Sequence, residues 1–253
     1  VLMTNDLEKF IKNAININNI DTPVYRIFSY ERFIELITTN QLVLVQPSMW
    51  DDPYENFFLK TEVVSDDGEF GSLESLCNSW YGQCWTENED TDAMWRIYSP
   101  EKRGVRVKTT IRKLFLTLYD TSDTNCSLKY FIGKVNYKDK EEIIEFMNST
   151  TFSEFILGGQ NTQFAEVLCT KRTAFSHENE IRLIVDDIGH KHGRGGLYKI
   201  NITPEELFEE ICLDPRLSSS DFLNLRAEIQ GMGVTTNIIQ SDLYKLDLPR
   251  LKM

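Results

Sequence analysis

Extended and helical signals alternate along this chain in short pieces, and that interleaving, more than any single motif, limits the folds open to it. Val24-Tyr25-Arg26-Ile27-Phe28, Leu42-Val43-Leu44-Val45 and Trp80-Tyr81-Gly82-Gln83-Cys84-Trp85-Thr86 are rich in aromatic and β-branched residues and bounded by turn formers. Val105 and Val107 mark another strand, and residues 57–64, 130–137, 178–185, 197–202, 211–213 and 234–239 read the same way. Between these strands the apolar residues return every three or four positions. Phe33, Leu36 and Ile37 lie in a helix over residues 30–39 that Ser29 caps and Asn40 ends. Met94, Trp95 and Tyr98 lie in a short helix opened by Thr91 and closed by Pro100. Residues 111–118, 141–157, 204–210 and 219–230 are helical as well, and Leu7, Phe10, Ile11, Ala14 and Ile15 predict an amphipathic helix ending near Asn18. Residues 164–171 fit a helix by spacing and resist it by composition. The pattern predicts one α+β domain over residues 1–253 with mainly antiparallel strands: an N-terminal helix within 1–22, core sheets over 23–203, and a helix-strand-helix-strand extension over 204–253.

Composition narrows the function classes. The formal net charge of −12 argues against a dedicated binder of nucleic acid or of an anionic membrane. No window approaches eighteen consecutive apolar residues, and the first residues lack a basic stretch followed by an apolar one, so a cytoplasmic protein with no membrane partner is expected. Five cysteines without a C-x-x-C pair predict reduced, buried thiols, and three histidines leave little for a His-rich metal site. Against the acidic background, Lys102, Arg103, Arg106, Lys108, Arg112 and Lys113 form a local basic cluster. It reads first as a solvated strand-helix edge and second as a cradle for a phosphorylated ligand. The loop from Gly189 to Gly196 lacks the Lys-Ser/Thr of a P-loop and is read as a hairpin connection.

Four stretches carry residues suited to chemistry. In Glu178-Asn179-Glu180-Ile181-Arg182, alternation along a strand puts both carboxylates and the arginine on one face. Arg26, on the first strand, offers a planar fork to a carboxylate or phosphate. Cys84-Trp85-Thr86 sets a hydroxyl beside a large ring at a strand end, and Trp95 and Tyr98 fall three apart on a helix. Each has a plain structural alternative: cross-strand ion pairs for the charges, core packing for the rings.

The order of these stretches resembles a bacterial family, domain of unknown function 2971. Tyr25-Arg26-x-x-Ser29, Asp52-Pro53-Tyr54-Glu55, Cys84-Trp85-Thr86, Met94-Trp95-x-x-Tyr98 and Glu178-x-Glu180-Ile181-Arg182 are similar to its marks over residues 24–185. The layout of an arginine, a hydroxyl and a Glu-x-Glu is also similar, more distantly, to that of ADP-ribosyltransferases. That likeness implies two small antiparallel sheets around a cleft that takes NAD⁺ as substrate. It implies Arg26 on a phosphate or ribose, Thr86 or Ser29 supporting the nicotinamide region, and Trp85, Trp95 or Tyr98 stacking on the ring. Glu180 would stabilise the oxocarbenium-like charge, and Glu178 would position or deprotonate the acceptor.

The reading favoured is an NAD-dependent ADP-ribosyltransferase, of toxin or phage-defence type, with NAD or a related nucleotide as ligand and a protein acceptor or an antitoxin-like inhibitor as partner. The first alternative is a non-catalytic nucleotide- or protein-binding regulatory module. The second is a metal-dependent nuclease or phosphodiesterase using Asp51, Asp52, Glu55 and the glutamate pair.

Overall fold

The computed structural model describes residues 11–50, 52, 54–55, 62–64, 70–72, 78–119, 126–149 and 162–246. In chain order the elements begin β1 (Ala14–Ile15), β2 (Pro23–Phe28), α1 (Tyr30–Thr39), β3 (Gln41–Val45) and a 3₁₀ turn (Pro47–Met49). They continue β4 (Glu62–Val64), β5 (Phe70–Ser72), β6 (Trp80–Thr86), α2 (Asp92–Tyr98), β7 (Val105–Thr110), α3 (Ile111–Leu118) and α4 (Cys126–Lys129). Then come β8 (Tyr130–Lys134), β9 (Asn136–Lys138), α5 (Lys140–Ser149), α6 (Thr162–Leu168), β10 (Thr170–Arg172) and a second 3₁₀ turn (Thr173–Glu178). The chain closes with β11 (Glu180–Asp186), β12 (Leu197–Asn201), α7 (Pro204–Leu207), β13 (Glu210–Leu213), α8 (Ser219–Gly231) and β14 (Ile238–Gln240).

The fold is mixed α+β and its main sheet is mostly antiparallel, but the strands do not form two small sheets. Ten described strands make one sheet in the order β1-β8-β11-β6-β2-β7-β13-β14, with β3 and β12 branching from β6. Two further pairs, β9 with β10 and β4 with β5, stand apart from it. The branch is what opens a cleft. One edge of β6 pairs along its length with β11, while the other meets β2 only at Tyr25–Thr86 and β3 only at Val45–Gly82. Between those two points β2 and β3 part from β6, and side chains complete the backbone bonding there. The Arg26 guanidinium donates to the Cys84 carbonyl, and Gln83 Nε2 donates to the Val43 carbonyl at 2.9 Å.

Alternation explains which residues build the core. Leu42 and Leu44 are fully buried while Val43 and Val45 are half-buried on the other face. Ile181, Leu183 and Val185 of β11 pack with Phe33 of α1, Phe115 of α3 and Ile229 of α8. Ile184, on the opposite face, packs with Trp80 and Phe131 against Phe164 and Leu168 of α6. Buried apolar area of this kind supplies about 25 cal/mol per Å². Ser29 caps α1 by accepting from Arg32 N at 3.3 Å, and Asn40 ends it in the left-handed region at φ 52°.

Several expected boundaries move. Residues 1–10 lie outside the described part. Residues 11–12 are helical, but Ala14 and Ile15 pair with β8 instead of continuing a helix to Asn18. Residues 164–171 divide into helix α6 and strand β10, which accounts for their mixed signal. The last strand is Ile238–Gln240, shorter than residues 234–239 suggested, and of the 141–157 helix residues 140–149 are described. The 57–64 segment is described only over Glu62–Val64. The Gly189–Gly196 connection is ordered by Asp187, whose carboxylate accepts from the backbone of His192 at 2.9 Å and Gly193 at 2.7 Å. No helix among the described residues is long and apolar enough to cross a membrane.

Candidate active site at the sheet fork

A cavity of about 470 Å³ opens at the fork, within the size range of small-molecule sites. Of the residues singled out in the sequence, Arg26, Trp85, Thr86, Tyr98, Glu178 and Glu180 all line it. Ser29 and Trp95 do not. Ser29 is spent as the cap of α1. Trp95 is fully buried and its indole nitrogen donates to Asp90. Residues three apart on a helix differ by about 60° in direction, which is enough to send Trp95 into the core and Tyr98 to the cavity mouth. Tyr98 is 41% exposed.

Register explains how the acidic wall is assembled. Pairing of β11 with β6 sets Glu180 opposite Thr86 and Arg182 opposite Cys84, so these side chains share a face. Glu178 is not on the strand. It ends the 3₁₀ turn, and Asn179, left-handed at φ 44°, separates it from β11. Thr86 restores the expected proximity: its hydroxyl donates to the Glu178 carbonyl at 2.5 Å and accepts from Asn88 N at 3.0 Å. His177, in the same turn, lines the cavity, and its carbonyl accepts from Asn88 Nδ2 at 2.7 Å.

The carboxylates sit in a buried ionic cluster. Lys171 Nζ contacts Glu178 Oε2 at 2.5 Å, Glu180 Oε1 at 2.5 Å and Glu55 Oε1 at 3.4 Å. Arg182 donates through Nε to Glu180 Oε2 at 2.8 Å, through Nη1 to the Leu168 carbonyl at 2.6 Å, and through Nη2 to Glu55. Its guanidinium lies 4.5 Å from the Trp50 ring centre. Glu55 and Lys171 were missed as members of this cluster by the sequence reading. Glu55 entered there through the Asp52-Pro53-Tyr54-Glu55 motif and as a metal ligand, and Lys171 carried no functional signal at all.

Burial pushes the Glu178 carboxyl up, reinforced by a hydrogen bond with Glu180, to about 7. Burial acts on Glu180 in the same sense, but Arg182, the bond to Glu178 and Lys171 outweigh it and hold that carboxyl far below its usual range. The pair therefore separates into one proton-carrying and one ionised member, the arrangement acid–base chemistry requires.

Arg26 lines the same cavity and is electrically different. Besides the Cys84 carbonyl it meets the Phe28 ring at 5.2 Å; its buried Nε has no hydrogen-bond partner, and it makes no ion pair among the described residues. Burial pulls its guanidinium below the usual value, a penalty that a bound anion would relieve. In the basic cluster of residues 102–113, four of the six cations are engaged elsewhere. Arg106 pairs with Glu210 at 2.9 Å, Arg112 with Asp21 at 2.7 Å and Lys113 with Glu209 at 3.0 Å, while Arg103 lies over Tyr30.

Asp52 pairs with Arg172 at 2.8 Å and Glu55 with Arg182, so these carboxylates already serve cations; Asp51 lies outside the described residues. Among the described residues no group of three or more His, Cys, Asp or Glu side chains is arranged to hold a metal ion. Cys84, Cys169 and Cys212 are free thiols. Burial raises all three, Cys169 and Cys212 to about 12.

The molecule is thus a forked, mostly antiparallel sheet with a charged ligand-sized cavity at the fork. Residues 94–183, which span the Met94-Trp95-x-x-Tyr98 and Glu178-x-Glu180-Ile181-Arg182 motifs, match the model of the family described as protein of unknown function (DUF2971), the family those motifs resemble. No curated protein matches the chain. Similar solved structures include Thermus sp. 2.9 DarT in complex with NAD⁺, at 9% identity and TM-score 0.39, covering 89% of this chain and 98% of that one. The same protein in complex with ADP-ribosylated ssDNA gives 10% identity and TM-score 0.39, covering 87% and 94%. At these scores the likeness carries no residue correspondence.

Proposed function

We propose that this chain is an NAD⁺-consuming enzyme of the ADP-ribosyltransferase type that cleaves the bond between nicotinamide N1 and ribose C1′. The observation that carries this reading is the pairing of opposites within one cavity: Arg26, without a carboxylate ion pair among the described residues, lines the same cavity as the Glu178–Glu180 pair. A dinucleotide needs both, a cation for its pyrophosphate and carboxylates for the charge that develops on its ribose.

In this reading Arg26 binds the pyrophosphate. The ring of Tyr98 at the mouth stacks on nicotinamide, with the edge of Trp85 completing the wall; the Trp85 indole is fixed by donating to Gln83 Oε1 at 2.8 Å. As the C1′–N1 bond breaks, its electron pair goes to N1 and neutral nicotinamide leaves. Glu180, kept ionised by Arg182 and Lys171, stabilises the positive charge that builds on C1′ and O4′. The acceptor then bonds to C1′ through its lone pair and gives its proton to Glu178, which takes it up only when that carboxyl, displaced to about 7, is ionised. Thr86 acts at one remove, holding the Glu178 backbone.

Purified protein incubated with NAD⁺ should release nicotinamide, measured by chromatography. Glu180→Gln and Glu178→Gln should each lower the rate by about a hundredfold or more, and Arg26→Ala should raise KM. Full turnover by Glu180→Gln would remove the carboxylate assignment. If the enzyme is a toxin-like or phage-defence effector, its expression should arrest growth and Glu178→Gln should relieve the arrest.

One observation favours a second reading, a binding module. Both Glu180 oxygens already hold cations, Oε1 on Lys171 and Oε2 on Arg182. That reading expects saturable nucleotide binding with no nicotinamide released.

A further inference from the structure

Lys171 is the charged group at the cavity whose part is least explained by holding the fold together. Its neighbour Arg172 turns to Asp52 and is covered by the Tyr54 and Phe175 rings, a contact that ties the loop after β3 to β10. Lys171 points the other way, to the carboxylates, with its Nζ 4.7 Å from the Phe175 ring centre. The cluster it enters holds three carboxyl groups (Glu55, Glu178 and Glu180) and two cations (Lys171 and Arg182). One carboxyl is in excess, and in a buried site an unpaired negative charge takes up a proton in preference to staying ionised. Geometry decides which one. Glu180 has a cation on each oxygen, at 2.5 and 2.8 Å. Glu178 has one cation, Lys171 on Oε2, while Oε1 accepts from the Tyr98 hydroxyl at 3.4 Å.

We propose that Lys171 is a positioning residue for the reaction put forward above: by bridging Glu178 and Glu180 it holds the two carboxyl groups on one shared proton and assigns that proton to Glu178. This inference rests on the enzymatic reading for its consequence, since the acceptor's proton must have an ionised Glu178 to go to. The proton assignment itself needs no substrate. The groups that set it come from every element around it. They are Tyr98 from α2, Cys84 from β6, Arg26 from β2, Glu55 from the loop after β3, Tyr137 from β9, Arg182 from β11 and His177 from its own turn. The position of the Glu178 carboxyl near 7 agrees with this assignment. Without Lys171, one cation would face three carboxyls, and the proton on Glu178 would be held more tightly.

The test is a carbon-detected NMR titration of the full chain carrying ¹³Cδ-labelled glutamate. Wild type should show one glutamate titrating close to neutrality, and Glu178→Gln should abolish it. Lys171→Met should move its midpoint up by about one pH unit or more, and Lys171→Arg should bring it back toward wild type. An unmoved midpoint in folded Lys171→Met, or a neutral titration that persists in Glu178→Gln, overturns the proposal. If Lys171→Met does not fold, Glu180→Gln decides with Lys171 in place: the Glu178 midpoint should fall toward the ordinary carboxylate range, and no change overturns the proposal. The rising limb of the pH profile for nicotinamide release should follow the same midpoint and shift with Lys171→Met. Titrations as predicted without nicotinamide release at any pH support the proton assignment and overturn the enzymatic reading. Release whose pH limb ignores Lys171→Met does the reverse.

Discussion

A carboxyl group buried against another carboxyl leaves a signature in stability as well as in catalysis. For Glu178 the proton is held more tightly in the folded chain, near 7, than in the unfolded one, near the ordinary value of 4.5. Its contribution to stability is therefore complete below about pH 4.5 and is lost as pH rises through about 7. Glu180, displaced downward, acts at lower pH in the opposite sense, so between pH 5 and 8 the difference between Glu178→Gln and wild type reports on Glu178. Thermal melts across that interval should show Tm falling less with pH in Glu178→Gln than in wild type. Parallel curves would mean that Glu178 is not buried protonated. At this scale the sequence was partly legible. Period-two alternation put Glu180 and Arg182 on one face, which the strand confirms, with all seven residues of β11 buried. It could not show that Asn179 interrupts the strand or that Lys171 joins the cluster. A lone lysine between Thr170 and Arg172, on a three-residue strand, has no periodicity to betray it.

Among the elements, helix ends were the most legible features because capping is local chemistry: Ser29, Thr91 and Asn40 act where their side chains or backbone angles demand. The same locality misdirected the aromatic assignment, since spacing alone does not say which of Trp95 and Tyr98 faces the core. The two corrected residues make a matched control for the cavity. Ser29→Ala should cost about 1 kcal/mol of stability, the usual value of an N-cap, and leave nicotinamide release per folded molecule unchanged. Trp95→Ala should cost about 3–5 kcal/mol, as a large buried ring does. Denaturant unfolding measures both. A Ser29→Ala variant with normal stability and lost turnover would return Ser29 to the ligand.

For the molecule as a whole, most long strands were readable one by one, the short ones at Ala14–Ile15, Phe70–Ser72 and Thr170–Arg172 were not, and neither was the assembly into a forked sheet. The pairings that create the fork join Tyr25 to Thr86 and Val45 to Gly82, and contacts between such separated positions leave no local pattern. The net charge of −12 also hid the cavity's polarity. Arg106, Arg112 and Lys113 of the basic cluster are committed to carboxylates, and Arg26, one residue past the β2–β6 pair, is left with its charge at the cavity. The account stands or falls on what occupies the space between that guanidinium and the two glutamates. A crystal structure of Glu178→Gln soaked with NAD⁺ addresses it most directly. It should show the pyrophosphate within hydrogen-bond distance of Arg26, with ribose C1′ beside residues 178 and 180. NAD⁺ bound elsewhere on the molecule, or an Arg26 still directed only at the Cys84 carbonyl with the dinucleotide absent from the fork, would contradict it.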